Sequence, residues 1–270
     1  MTIKKQENES FVQFGNVFET ALLLDQSDHK NYPIKYYNLV NGLNLEFNKS
    51  NSYFCFIYEG NAEVIFNDDD SFYLKEGMYF SFSGNLVFKK GIFRAIIIEV
   101  IEQSGVYAIN QFKSFFNIGK IEKKGRLKYI DGCSDSLLIP PVKLGDPCFN
   151  HLHFPQDIKQ TQHTHPSDRI GIIYKGNGLC ITPFGNLELS EKMIFVIKEN
   201  CSGEKAIGLD NNFYLKGQHS FETFGNPMDV IAFHPDSDFG ATDLNHPMIN
   251  KTIVKGDSAK FQDDILTKKI

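Results

Sequence analysis

Residues 151–178 read HLHFPQDIKQTQHTHPSDRIGIIYKGNG, and the reading of the whole chain works outward from them. Seven of the eight histidines lie between His151 and His246, and four of those fall within the first fifteen residues of that interval. The sharpest feature is His163-Thr164-His165. On an extended strand, side chains at i and i+2 share a face. Two imidazoles placed in this way can bind one metal ion. The following Ile170-Gly171-Ile172-Ile173-Tyr174 is apolar and rich in β-forming residues. It ends in Lys175-Gly176-Asn177-Gly178, whose composition signals a hairpin turn. The expected layout is strand, short polar loop, strand, glycine hairpin.

The same punctuation occurs earlier in the chain. Ile57-Tyr58-Glu59-Gly60-Asn61 matches Ile173-Tyr174-Lys175-Gly176-Asn177 at a separation of 116 residues. Leu74-Lys75-Glu76-Gly77-Met78-Tyr79-Phe80 matches Leu189-Ser190-Glu191-Lys192-Met193-Ile194-Phe195 at 115. Two matches in the same order at nearly one offset indicate an internal repeat. At that offset His163 and His165 correspond to Phe47 and Lys49, and no histidine lies between His29 and His151. The first copy is therefore expected to lack an imidazole site.

The stretch resembles the first motif of the cupin superfamily: H-x-H, three or four residues, Glu, six residues, Gly. His163 and His165 fill the histidine positions and Gly176 the glycine, while Arg169 stands where the glutamate belongs. The resemblance implies an all-β fold of two tandem cupin-type barrels (double-stranded β-helix or jelly roll), a bicupin. The expected division is an arm over 1–30, a degenerate barrel over 31–130, a metal-binding barrel over 131–250 and a tail over 251–270. After the strand expected at 193–197, the polar stretch 198–217 reads as an insertion near the pocket mouth. His219, followed by a short strand, the turn Gly225-Asn226-Pro227 and the apolar run 228–233, resembles the end of such a barrel. It is the third candidate ligand.

Composition sets outer limits. The 270 residues carry a net charge of −5, with 41% hydrophobic and 23% charged residues. That balance argues for a globular chain and against a nucleic-acid groove. No apolar run reaches the length of a membrane span, and the polar start MTIKKQENES does not read as a secretory signal. Five scattered cysteines, Cys55, Cys133, Cys148, Cys180 and Cys201, lack metal spacing and read as reduced thiols of a cytoplasmic protein. Apolar residues between Phe11 and Phe18 suggest a strand or short helix packed on the body. Leu43, Leu45 and Phe47 suggest a half-buried strand, and 257–268 a terminal helix. Pro140 and Pro141 exclude a central strand there. Asp236, Asp238 and Asp243 lack the spacing of a calcium loop and read as turn residues covering a barrel end.

The candidate metal ligands are thus His163, His165 and His219. Three neutral imidazoles suit Fe(II), Zn, Mn, Ni or Cu, and three protein ligands leave positions open for chemistry. Arg169 has two readings. Its planar fork can hold a substrate carboxylate or phosphate beside the metal, or it pairs with Asp168 or another acid and points outward. If the loop shifts by one residue, Asp168 takes the metal-facing place instead. Tyr174 and His153 are candidates to supply a proton or hydrogen bond, although a pair such as His151 and His153 also suits a structural polar contact. The resemblance then implies a mononuclear metal enzyme, with Fe(II) favoured: an O2-dependent dioxygenase acting on a small anionic substrate. An isomerase or lyase, or a non-catalytic small-ligand-binding barrel, remains open beside it, as does a purely structural barrel with its histidines apart. A monomer and a homodimer are equally compatible.

Overall fold

A computed structural model describes residues 3–15, 17–41, 47–67, 70–102 and 116–242. Among them, regular structure is β apart from one 3-10 turn at Ile130–Gly132. No helix among them is long and apolar enough to cross a membrane. The expected strand at Leu43 and Leu45, the residues Asp243 and His246, and the expected terminal helix over 257–268 lie outside the described residues.

The strands gather into two bodies. The first is a seven-stranded antiparallel sheet around two long strands, Ser52–Phe66 and Leu86–Val100. Both strands are buried on both faces where they read as continuous apolar runs, the pattern expected of strands covered on two sides. Tyr53, Cys55, Ile57, Ala95 and Ile97 face the interior of this body. Phe54, Phe56, Tyr58, Ile96 and Ile98 face the other way. They pack on Phe149, Ile170, Ile172, Tyr174, Ile231 and Phe233 of the second body, so the two bodies share one apolar core.

In the second body an eight-stranded sheet faces a small three-stranded one. The central order of the large sheet is Phe11–Gly15, Ile194–Ile197, Arg169–Lys175, Met228–His234, Cys148–Phe154. The small sheet holds Leu187–Leu189, Gly178–Ile181 and Ser220–Glu222. Side chains between the two sheets, including Phe11, Phe154, Phe195, Cys180 and Phe221, form a separate core. The N-terminal apolar residues take the strand form: Phe11–Gly15 pairs with Ile194–Ile197 and stacks Phe11 on Phe195 at 5.3 Å. Phe18 is 57% exposed, outside that packing. Within the 198–217 stretch, Lys205–Ile207 and Phe213–Leu215 form a two-stranded hairpin.

The glycine punctuation does not make hairpins. Gly60 lies inside the continuous strand Ser52–Phe66, just after the register shift between Ile57 and Glu59. After Gly176 the chain leaves the large sheet, and Gly178–Ile181 pairs in the small one. A side chain on Gly60 would stand 2.0 Å from the Ile92 carbonyl oxygen, and one on Gly176 2.1 Å from that of Pro227; φ is +72° and +78°. Both glycines therefore make the same bulged bend in an advancing strand. The second matched pair agrees as well, since Gly77 (φ +80°) and Lys192 (φ +66°) are both left-handed. Gly176→Ala is expected to cost about 2–4 kcal/mol, combining left-handed strain with a backbone clash. Urea denaturation checks this, and a loss below about 1 kcal/mol would refute the close-approach account.

Candidate metal centre

The three histidines predicted as ligands come together. One nitrogen from each of His163, His165 and His219 lies within 4.8 Å of the others. Their ring centroids are 4.7–5.2 Å apart. Strand alternation is not what brings them there. Thr164 and His165 belong to no strand, and His163 makes a single bridge. That bridge joins His163 to His219, each N–H donating to the other's carbonyl at 2.9 and 3.0 Å. Directly opposed antiparallel residues share a face, so the bridge sets the two imidazoles side by side. The Asn200 N–H donates to the His165 carbonyl at 2.8 Å and ties the segment to the following loop.

Backbone contacts also orient the rings. His163 Nδ1 lies 2.9 Å from the Thr161 carbonyl and His219 Nδ1 2.9 Å from that of Gly217. A carbonyl only accepts, so each Nδ1 carries the hydrogen and leaves a lone pair on Nε2. This is the arrangement in which a protein imidazole binds a metal. Burial works against the charged form of His165 and His219. It pushes the His219 pKa down to about 3, with the nearby His163 acting in the same direction. Burial, followed by the charge of Arg169, pushes His165 well down too.

The rings border a cavity of about 30 Å³ between the two sheets. One water needs roughly 10–15 Å³ on this measure, so the space suits one or two small ligands. Leu152, Phe154, Phe195, Phe221, Val230 and Ala232 make most of the wall apolar. Among the described residues, Arg169 supplies the one formally charged side chain in that lining. It points inward and is 4% exposed. Its Nη1 donates to the Ser167 carbonyl at 3.1 Å and to the Ser167 hydroxyl. That hydroxyl donates in turn to Asp236, which stands 3.6 Å from Arg169. Arg169 Nε is buried without a protein partner. The outward reading of Arg169 is thus corrected, as is its pairing with Asp168. Asp168 faces away from the cavity, accepting from Gln26 Nε2 at 2.8 Å and from the Glu199 N–H at 2.7 Å.

Tyr174 and His153 do not reach the histidines. Arg169 and Tyr174 are five residues apart on one strand, which places them on opposite faces. The Tyr174 hydroxyl donates to Glu76 of the first body at 3.2 Å, and its ring packs on Phe56. On the strand Cys148–Phe154 Leu152 and Phe154 face the cavity, so His151 and His153 face the other way. Both imidazoles contact one oxygen of Asp229, at 3.0 and 2.8 Å. The structural-contact reading of this pair is the one the structure supports.

His234, Gln160 and Tyr129 also line the cavity, and none of them is an expected site residue. His234 was legible by alternation, because Val230 and Ala232 on the same strand face the cavity. Burial, then Arg169, keeps its pKa well below the usual value. Gln160 and Tyr129 come from irregular segments that carry no such signal.

Depressed histidine pKa values make stability depend on pH. Below about 6.5 the unfolded chain takes up protons that the folded chain refuses. In metal-free protein, stability is expected to fall between about pH 6.5 and 4 by roughly 1.4 kcal/mol per pH unit for each such histidine. Urea midpoints across that range test this, and a flat profile would show that the folded imidazoles accept protons.

Sequence comparison finds no protein family and no curated protein that matches this chain. Solved structures do match. A cupin 2 conserved barrel domain protein from Leptotrichia buccalis superposes with a TM-score of 0.52 at 13% identity, covering 87% of this chain and 92% of that one. A protein described as glyoxylate-induced, from Pseudomonas aeruginosa, gives 0.61 at 10%, covering 90% and 94%. The protein Ylba from E. coli gives 0.58 at 11%, covering 87% and 94%. At these identities the likeness concerns architecture alone: the chain has an all-β, cupin-type fold, and its sheets are consistent with two such barrels in tandem.

Proposed function

We propose that this protein is a bicupin enzyme whose second barrel holds one divalent metal ion on His163, His165 and His219, and that it is a dioxygenase for a small anionic substrate. The first barrel then acts as a scaffold without a metal. The observation that carries the reading is the convergence of three imidazoles on a small cavity whose one formally charged lining residue, among the described residues, is a cation.

The donor set fits a divalent ion. All three ligands are uncharged, two have their tautomer set by backbone carbonyls, and imidazole suits Fe, Zn, Cu and Ni. Fe(II) is favoured because the proposed reaction is oxidative. When bound, such an ion would supply open coordination positions for substrate and O2 together. The remaining work falls to the chain. Arg169 is held by Ser167 and Asp236 on its Nη1 side, which leaves Nε for another acceptor. A substrate carboxylate is an acceptor of the right charge. The described residues bring no carboxylate to the lining, which leaves the positive charge of the centre for the substrate to balance. Apolar walls exclude water, and the cavity volume limits the part of the substrate that enters to a few heavy atoms.

The test is O2 uptake by iron-loaded protein offered a panel of small carboxylates. Stoichiometric uptake with one member is expected, and Arg169→Met should lower its kcat/KM by about 30-fold or more while retaining the metal. Metal-loaded protein that consumes no O2 with any member, or an Arg169→Met variant as active as wild type, would sink the dioxygenase reading.

A further inference from the structure

A large opening in the described structure lies away from the histidines. A cleft of about 930 Å³ forms where the N-terminal strands, the turn before Ile194–Ile197 and Arg94 of the first body meet. It shares no lining residue with the histidine cavity. Its volume falls in the range of sites that enclose a ligand of some twenty to thirty heavy atoms, roughly.

The lining specifies the chemistry of such a ligand. Charged groups are balanced: Lys4, Arg94 and Lys192 against Glu59, Glu188 and Glu191. Glu59 accepts from both Arg94, at 3.1 Å, and Lys192, at 2.9 Å. The cleft therefore offers no net charge to an ionic ligand. Gln6, Gln13, Asn177 and Ser190 add uncharged groups that both donate and accept hydrogen bonds.

Apolar surface stands beside these groups. Phe18 and Phe224 line the cleft and are 57% and 55% exposed. Phe18 is held in place, with the Arg94 guanidinium 4.9 Å from its ring centre and 5.1 Å from that of Tyr58. A purely apolar ligand would bury the carboxylates and amides unpaired. A strongly charged one would find Arg94 and Lys192 already engaged by Glu59, and the other lining charges, Lys4, Glu188 and Glu191, of both signs. Hydroxyl groups both donate and accept, and the C–H face of a sugar ring covers an aromatic ring. We infer that this cleft binds a neutral, polyhydroxylated ligand of about disaccharide size.

The inference is independent of the metal centre, and its test keeps the two apart. Cellobiose, maltose and lactose would be titrated into the full-length protein by calorimetry and saturation-transfer NMR. Gluconate and glucosamine serve as charged controls, and adenosine as a neutral aromatic one. Saturable binding of at least one disaccharide is expected. Phe224→Ala and Gln6→Ala, both at exposed positions, should weaken it by about fivefold or more, while His163→Ala should leave it unchanged. No saturable disaccharide binding up to about 10 mM would overturn the inference. So would preference for a charged control or for adenosine, or binding that both cleft variants retain at wild-type strength.

Discussion

Alanine in place of His219 is expected to remove the metal from this protein. Wild type purified without chelator should carry close to one ion per chain, and His219→Ala less than about a tenth of that. Changing a residue that only supports a metal ligand commonly costs 10–100-fold in affinity, so losing one of three ligands should cost at least about 100-fold. His219 is the most buried of the three, at 2% exposure, and it anchors the bridge that positions His163. His163→Ala and His165→Ala should behave alike. His153→Ala should keep its metal, because His153 contacts Asp229 on the other face of the sheet. Elemental analysis of the four variants decides the matter. Retention of metal by His219→Ala, or its loss from His153→Ala alone, would sink the three-histidine centre.

Phe54→Ala should be the most damaging single truncation for the chain as a whole. Phe54 is fully buried, 5.0 Å from the ring of Phe233 and 6.2 Å from that of Phe149. Removing a buried phenylalanine ring typically costs about 3–5 kcal/mol. Here the ring comes from the first body and its partners from the second, so the loss should be felt in both. Phe233 lies on the strand that also presents Val230, Ala232 and His234 to the histidine cavity. Unfolding followed by tyrosine signal and by metal release should therefore give coincident transitions, both shifted to lower urea in Phe54→Ala. A variant in which the first body melts early while the metal stays bound would show that the shared core does not couple the bodies.

Much of this molecule was legible in its sequence. The repeated glycine punctuation marked two β units, and the structure gives Gly60 and Gly176 the same bend and the same close carbonyl. Both the H-x-H pair and His219 were identifiable as a candidate ligand set, because imidazoles are rare in this chain and cluster there. Alternation along one strand was also available from sequence: it already separates Arg169 from Tyr174, and applying it would have withdrawn Tyr174 as a partner of Arg169. Three things required the tertiary structure. Sequence periodicity tells which residues share a face but not which face looks inward, and for Cys148–Phe154 that choice placed Leu152 and Phe154, not His153, in the cavity. The bend at Gly176 carries the chain from one sheet to another, and that at Gly60 keeps it in one continuous strand, instead of turning it back, since pairing partners are set by which strands lie alongside. The partner of Arg169 is Asp236, a residue 67 positions later. A buried guanidinium must find an acceptor, and only the packing of the two sheets determines which acidic side chain is within reach.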